Sequence, residues 1–189
     1  NNARLGVAVQ GLSQAERALQ KAVVHSKDRK QGRSQIENGT GAIIDHADVR
    51  KNILSMKALT SVSRSLCLDT AMSIDLAKIS GCPIQMNRAA FLIPIAKAFS
   101  TENGCRVADI GIQVHGGLGF IESSGVPQLY RDVRITAIYE GTNGIQAMDL
   151  VNRKLSDGGA AGFALVQELI DTEQICRHAG TMKEGSIEE

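Results

Sequence analysis

From Val49 onward, Ile53, Met56, Thr60, Ser63, Cys67, Thr70, Ile74 and Ala77 follow one another at intervals that alternate between four residues and three. That spacing stacks all of them on one face of an α-helix about eight turns long, and no strand can present it because strand side chains alternate with a period of two. The small residues in the middle of the stripe imply close packing against a neighbouring helix. A second stripe, Leu5, Ala8, Leu12, Ala15, Leu19 and Ala22, predicts a helix over residues 2–29. Its last turn carries Lys27 and Arg29, with Lys30 just beyond, where the helix dipole favours cations.

Between these helices, residues 30–44 contain Gly32, Gly39 and Gly41 without periodicity and read as a loop, with Asp45 expected to cap the second helix. Gly81 and Pro83 end that helix. The next apolar segment, 89–99, contains Pro94, which is expected to kink or split it at a cost of roughly 3 kcal/mol unless packing offsets it. Shorter helices are expected over 102–114, 128–134, 143–155 and 163–177, with the chain broken by Gly116, Gly117 and Gly119 and again by Gly158, Gly159 and Gly162. No pair of alternating strands and no repeat of 20 to 50 residues is found. The expectation is an all-α fold, an antiparallel four-helix bundle. Aromatic residues make up only 3% and Trp is absent, so the core must come from Leu, Ile, Val, Ala and Met, which suits helices better than a β-sandwich. The 21 Lys and Arg nearly cancel the 20 Asp and Glu, which excludes a nucleic-acid footprint built on bulk positive charge.

Cys67, Cys82, Cys105 and Cys176 form no CxxC pair and match no His pair at zinc spacing, so they are expected to be reduced and mostly buried, as suits a cytoplasmic or organelle interior. No signal peptide and no membrane span is visible, and the abrupt start without Met suggests a fragment. His25, His46, His115 and His178 are too scattered for a metal site, and the acidic residues from Glu168 to Glu189 read as a solvated end.

Two stretches go beyond what a bundle needs. Gln113-Val114-His115-Gly116-Gly117-Leu118-Gly119 does not follow a strand and lacks the G-x-G-x-x-G spacing. It is either a helix C-cap and loop or a backbone brought close to a ligand. Tyr139-Glu140-Gly141-Thr142 places a carboxylate at the mouth of a helix. It is either an acid favoured by the helix dipole or one projected into a cleft.

Taken together and in order, these stretches resemble the acyl-CoA dehydrogenase family. The opening Arg4 helix, Lys27-Asp28-Arg29-Lys30-Gln31-Gly32, Ile43-Ile44-Asp45-His46-Ala47-Asp48-Val49-Arg50, residues 113–119, Tyr130-Arg131-Asp132-Val133-Arg134-Ile135 and Tyr139-Glu140-Gly141-Thr142 all contribute, so the resemblance covers residues 1–155. Glu140-Gly141-Thr142-Asn143-Gly144-Ile145-Gln146 with Asp149-Leu150-Val151 looks most like the longer bacterial branch that includes 3-methylmercaptopropionyl-CoA dehydrogenases.

The resemblance implies the C-terminal helical domain of a flavoenzyme whose full subunit also has an N-terminal helical domain and a middle β-domain. Residues 156–189 would then begin a further C-terminal helical region, cut short. It implies FAD as cofactor and an acyl-CoA as substrate. It also implies a homodimer or dimer of dimers, and an electron-transfer acceptor as partner. Glu140 matches the catalytic base. Arg29 and Gln31 match positions that reach the FAD pyrophosphate region across a dimer interface, while Gln113, Gly116 and Gly117 match the stretch at the adenosine end. Thr142 and Gln146 follow the base where the family again contacts FAD, and Arg4, Tyr139 and Gly141 are assigned to the substrate side. Most members carry an aromatic between the positions of Gln31 and Gly32, which this chain lacks.

The chemistry agrees with these residue types. An α-proton of a thioester needs a carboxylate in a dry site, where desolvation raises its basicity. Backbone N–H donors, Glu140's own among them in this family, stabilise the developing enolate. Arginine presents a fixed, always charged fork to pyrophosphate. Monooxygenase and nitroalkane-oxidase relatives lack a Glu at the base position, so Glu140 argues against them. An acyl-CoA oxidase would keep it, and the alternative from a different class is a helical-bundle assembly or protein-interaction module without catalysis.

Overall fold

The computed structural model describes residues 2–34, 36–156 and 158–180; apart from one isolated bridge between Lys30 and Ala42, the regular structure among them is helical. Three long helices dominate: α1 (Asn2–Asp28), α2 (Ala47–Ser80) and α3 (Pro83–His115). Shorter ones follow: α4 (Gly117–Phe120), α5 (Val126–Arg134), α6 (Asn143–Asp149) and α7 (Ala160–His178).

Contacts between residues fix the direction of each helix. Gly11 lies against Ser100, Thr101 and Gly104, Ala18 lies beside Gly111, and the rings of His25 and His115 stack with centroids 4.4 Å apart. These pairs advance together along both chains, so α1 and α3 run parallel. The Cys67 thiol meets the Ser100 hydroxyl, and the Asn103 amide reaches Ser63, so α2 runs against α3. The Cys105 thiol points to the Val133 carbonyl, and Leu129 and Val133 share a core with Val107, Ala108 and Val114, so α5 returns antiparallel to α3. The result is an up-down-up-down bundle whose fourth rod is short. Its core holds Ala15, Ala18, Ala22 and Met56 beside the α3 and α5 residues, with a smaller cluster of Ala8, Leu12, Cys67 and Ala96 below. The stripes of α1 and α2 read from the sequence are the faces turned inward: Met56, Thr60, Ser63, Cys67 and Thr70 are all buried.

Five local expectations are corrected. Pro94 does not split its helix, and the segments expected at 89–99 and 102–114 form one continuous α3. Pro94 is itself buried and is flanked by buried Phe91, Leu92, Ile93 and Ala96. Burying each large apolar side chain contributes about 1.5–3 kcal/mol, so three of them outweigh the roughly 3 kcal/mol cost of an interior proline. Asp45 does not cap α2. It lies in a 3-10 turn, its Oδ2 accepts from the Gly41 N–H at 3.0 Å, and α2 begins after His46. Gly162 does not break the chain but sits inside α7, where a Cβ would come within 3.3 Å of the Phe91 ring. Of the four cysteines only Cys67 is fully buried, and the others are half-buried. Glu168 is not merely solvated either, because Arg88 bridges it to Asp69 and so ties α7 onto the α2–α3 hairpin. Residues 181–189, the last part of the acidic end, lie outside the described residues.

Gly11 and Gly104 bring the backbones of α1 and α3 together. A Cβ on Gly11 would lie 2.7 Å from the Ser100 carbonyl oxygen, and one on Gly104 would lie 2.7 Å from the Gly11 carbonyl oxygen. Gly11→Ala and Gly104→Ala are each expected to lower stability by about 1–3 kcal/mol through overpacking. Gly6→Ala, which meets nothing within 4 Å, is expected to raise it by about 0.5–1 kcal/mol. Urea titration followed by helical circular dichroism checks the opposite signs.

Candidate functional site

The sequence-derived site residues fall into two groups at opposite ends of the bundle. Arg4 and Arg29 bracket α1, and 25 residues at 1.5 Å each place their backbones about 37 Å apart.

At the end where α1 begins, the turn after α5 carries Tyr139, Glu140, Gly141 and Thr142. Glu140 has φ 55°, in the left-handed region, one of two non-glycine residues there among those described. Such a backbone costs of order 1–3 kcal/mol and persists only where its surroundings hold it. The holders are visible. Gln146, buried in α6, donates from Nε2 to the Gly141 carbonyl at 3.0 Å and to the Glu140 carbonyl at 3.3 Å. Gly141 has φ 84°, and a Cβ there would lie 2.8 Å from that same Nε2, so only glycine fits. Thr142 caps α6, its hydroxyl accepting from the Ile145 N–H at 3.4 Å. Tyr139 donates its hydroxyl to Gln10 on α1. The Glu140 side chain is exposed, so this chain alone does not provide the dry surroundings expected for a base.

Arg4 gives one arm of its guanidinium to Asp149 of α6, Nη1 to Oδ2 at 2.6 Å, and Asp149 is only 6% exposed. Arg153 stands 3.3 Å from the other carboxylate oxygen. Arg4 therefore anchors α6 to the start of α1. Beside it lies a residue that the sequence reading passed over, Lys97 of α3, which is wholly buried and donates from Nζ to Asn143 Oδ1 at 2.9 Å. Burial first, and then the nearby positive Arg4, push the Lys97 ammonium below the ordinary lysine range. A charged residue inside the apolar run 89–99 was the available signal.

At the other end, Arg29, Gln31, Gln113, Gly116 and Gly117 line one cleft of about 540 Å³ together with His25 and His115. Gln31 is fixed because the carbonyl oxygen of its backbone can only accept, so His46 donates to it from Nε2 at 2.7 Å. Its Oε1 accepts from Arg29 at 3.3 Å. Gly116 closes α3 with φ 60° and ψ −137°, and a Cβ on Gly116 or Gly117 would meet nothing within 4 Å, so the glycines leave open space at the cleft wall. The His46 ring lies against Gly32, where an added Cβ would come within 3.2 Å of it. Guanidinium, two primary amides and an unobstructed backbone form a donor set suited to a pyrophosphate.

A family model described as acyl-CoA dehydrogenase, C-terminal domain, matches residues 1–155. The chain belongs to the acyl-CoA dehydrogenase family. It is 44% identical over 178 residues to 3-methylmercaptopropionyl-CoA dehydrogenase of Ruegeria pomeroyi, covering 91% of this chain and 30% of that protein. It is 34% identical over 145 residues to the short-chain specific acyl-CoA dehydrogenase of Megasphaera elsdenii, covering 77% of this chain and 34% of that one. The solved structure of butyryl-CoA dehydrogenase from Megasphaera elsdenii superposes with a TM-score of 0.66 at 32% identity, covering 80% of this chain and 36% of that one. This member of the family thus spans about a third of the length of the relatives it matches. No helix among its described residues is long and apolar enough to cross a membrane, and no group of three or more His, Cys, Asp and Glu among them could hold a metal ion.

In this acyl-CoA dehydrogenase domain the cleft histidines have a pH signature. Burial lowers His25, with Coulombic repulsion from His115, when that ring is charged, and from Arg29 acting in the same direction and Asp28 opposing. Burial lowers His115, Lys21 adds to it, and the bond from Nδ1–H to the Gly111 carbonyl opposes. The fold disfavours the charged form of both rings, so the unfolded chain binds their protons more readily. Stability from this pair is complete above the unfolded value of about 6.5 and is lost as pH falls through it toward the lower folded values. Titration of the two imidazoles by NMR is expected to give midpoints below 6.5 for both; a midpoint at or above it for either would contradict the geometry.

Proposed function

We propose that this chain is the C-terminal helical domain of an FAD-dependent acyl-CoA dehydrogenase and that Glu140 is the base that removes the α-proton of an acyl-CoA thioester. The observation that carries this is the Glu140 turn. The exposed carboxylate sits on a left-handed backbone at the entry to α6, and the sequence resemblance matches Glu140 to the family's base. No hydrogen bond from the Glu140 N–H is found among the described residues. That leaves it able to donate to a thioester carbonyl and stabilise the enolate as the proton leaves. The missing dryness would come from the β-domain and N-terminal domain of the same enzyme closing over the turn, which would raise the basicity of the carboxylate.

At the far cleft, Arg29 with Gln31 would hold the pyrophosphate of FAD, while Gln113, Gly116 and Gly117 would face its adenosine end. FAD supplies, when bound, the acceptor for the hydride that leaves the β-carbon. Thr142 and Gln146 order the turn at the Glu140 end and would contact FAD there. The 37 Å between the two ends supports a second copy in the functional unit, a homodimer or dimer of dimers. So does the outward face of α2, where Leu54, Val62, Leu68, Met72 and Ile79 are all exposed. An electron-transfer acceptor completes the set of partners. Residues 156–189, with α7 docked on Arg88, are assigned to an additional C-terminal helical region.

Glu140→Gln in the full-length protein keeps the size of the side chain and removes its basicity. FAD and acyl-CoA are expected to bind still, while anaerobic bleaching of the flavin by an acyl-CoA slows by at least about 10²–10⁴. Equal bleaching rates would remove Glu140 from the mechanism and favour an assembly module instead. Oxygen consumption by the reduced enzyme separates a dehydrogenase from an oxidase. In sedimentation at micromolar concentration the full-length protein is expected to run larger than one subunit.

A further inference from the structure

Among the described residues Lys97 is the largest fully buried side chain, and no ion pair to it is found. A buried ammonium whose hydrogen-bond acceptor is a neutral amide is an expensive way to fill space, since taking a cation out of water is strongly unfavourable unless it is paired. A methionine would pack the same volume. What the amine does that a methionine cannot is hold Asn143 Oδ1, at 2.9 Å.

Asn143 opens α6, one residue past the cap Thr142 and three past Glu140. Its Nδ2 donates to the Thr101 hydroxyl at 3.1 Å and toward the Ala98 carbonyl at 3.4 Å. The single hydroxyl proton of Thr101 is spent on the Lys97 carbonyl at 2.8 Å, which leaves Lys97 as the donor that fixes the oxygen side of the amide. A continuous path of bonds results. It runs from the Lys97 amine on α3 to Asn143, through the first turn of α6 to Gln146, and from its Nε2 to the carbonyls of Glu140 and Gly141. The strained turn is thereby referenced to a buried stretch of α3.

We propose that Lys97 is a positioning residue that fixes the Glu140 turn through its hydrogen bond to Asn143. The inference rests on Glu140 being the base, and it assigns Lys97 no contact with substrate.

The test uses the full-length protein that contains this chain, in wild type, Lys97→Met, Asn143→Leu, the double variant and Glu140→Gln. Butyryl-CoA is the probe. Two quantities are read: the limiting rate and half-saturating concentration of anaerobic flavin bleaching, and hydrogen exchange of the amides of residues 143–149. Because a misplacement of about 1 Å can cost a hundredfold, Lys97→Met is expected to lower the limiting rate about tenfold to a hundredfold. The half-saturating concentration should stay within about threefold and the flavin content unchanged, while exchange of α6 rises about tenfold. Asn143→Leu should match it, and the double variant should be no worse than either single one, since both cut the same path. A wild-type rate and unchanged exchange in Lys97→Met, or multiplicative losses in the double variant, would overturn the proposal. If Lys97→Met does not fold, Asn143→Asp decides. It keeps an acceptor for the amine and should retain the rate within a few fold while Asn143→Leu loses it; equal losses would overturn the proposal. Should Glu140→Gln bleach like wild type, the reading of Glu140 as base falls, whereas the exchange data still report on Lys97 separately.

Discussion

The backbones of α1 and α3 meet at Gly11 and Gly104, and the register of that contact decides which residues can share either end of the bundle. A side chain at either position would push the helices apart by more than a tight core tolerates. With the contact in place, Arg4 and Gln10 come level with the Lys97 end of α3, and His25 comes level with His115. The Asp149 and Tyr139 contacts of the one end, and the stacked imidazoles of the other, follow from a single parallel alignment. A one-turn slip of α1 would displace both ends by about 5.4 Å and break all of them.

Much of this was legible in the sequence because it is local. The stripes of α1 and α2 are periodic over many turns, and their inward faces are those the spacing named. Gly81 ends α2 in the left-handed conformation, with its N–H on the Ala77 carbonyl at 3.1 Å, as a glycine beyond a helix should. The family resemblance added Glu140, Gly141 and the Arg29 and Gln113 positions, and the structure gathers these into one strained turn and one cleft.

What escaped is non-local. Pro94 reads as a break because the rule for prolines considers one helix, whereas its stretch of α3 is buried by other elements, Ala8, Leu12 and Cys67 against Ala96 and Gly162 against Phe91. Gly162 reads as a break for the same reason, while its role is to let the Phe91 ring approach. Lys97 looks like an interruption in an apolar run, and its meaning lies in Asn143, 46 residues away in sequence. Glu168 reads as the start of a solvated end, and Asp149 only as one residue of a family motif, until Arg88 and Arg4 are placed opposite them.

The length of α1 has a genetic consequence. Its two ends are too far apart for lesions at both to injure the same centre of one subunit, if each centre draws its Arg29 cleft from a neighbouring copy and its Glu140 turn from its own. Two defective alleles, one altered at Arg29 and the other at Glu140, would then assemble mixed particles in which one centre receives both damaged parts and another receives neither. Interallelic complementation would follow from the geometry of a single rigid helix.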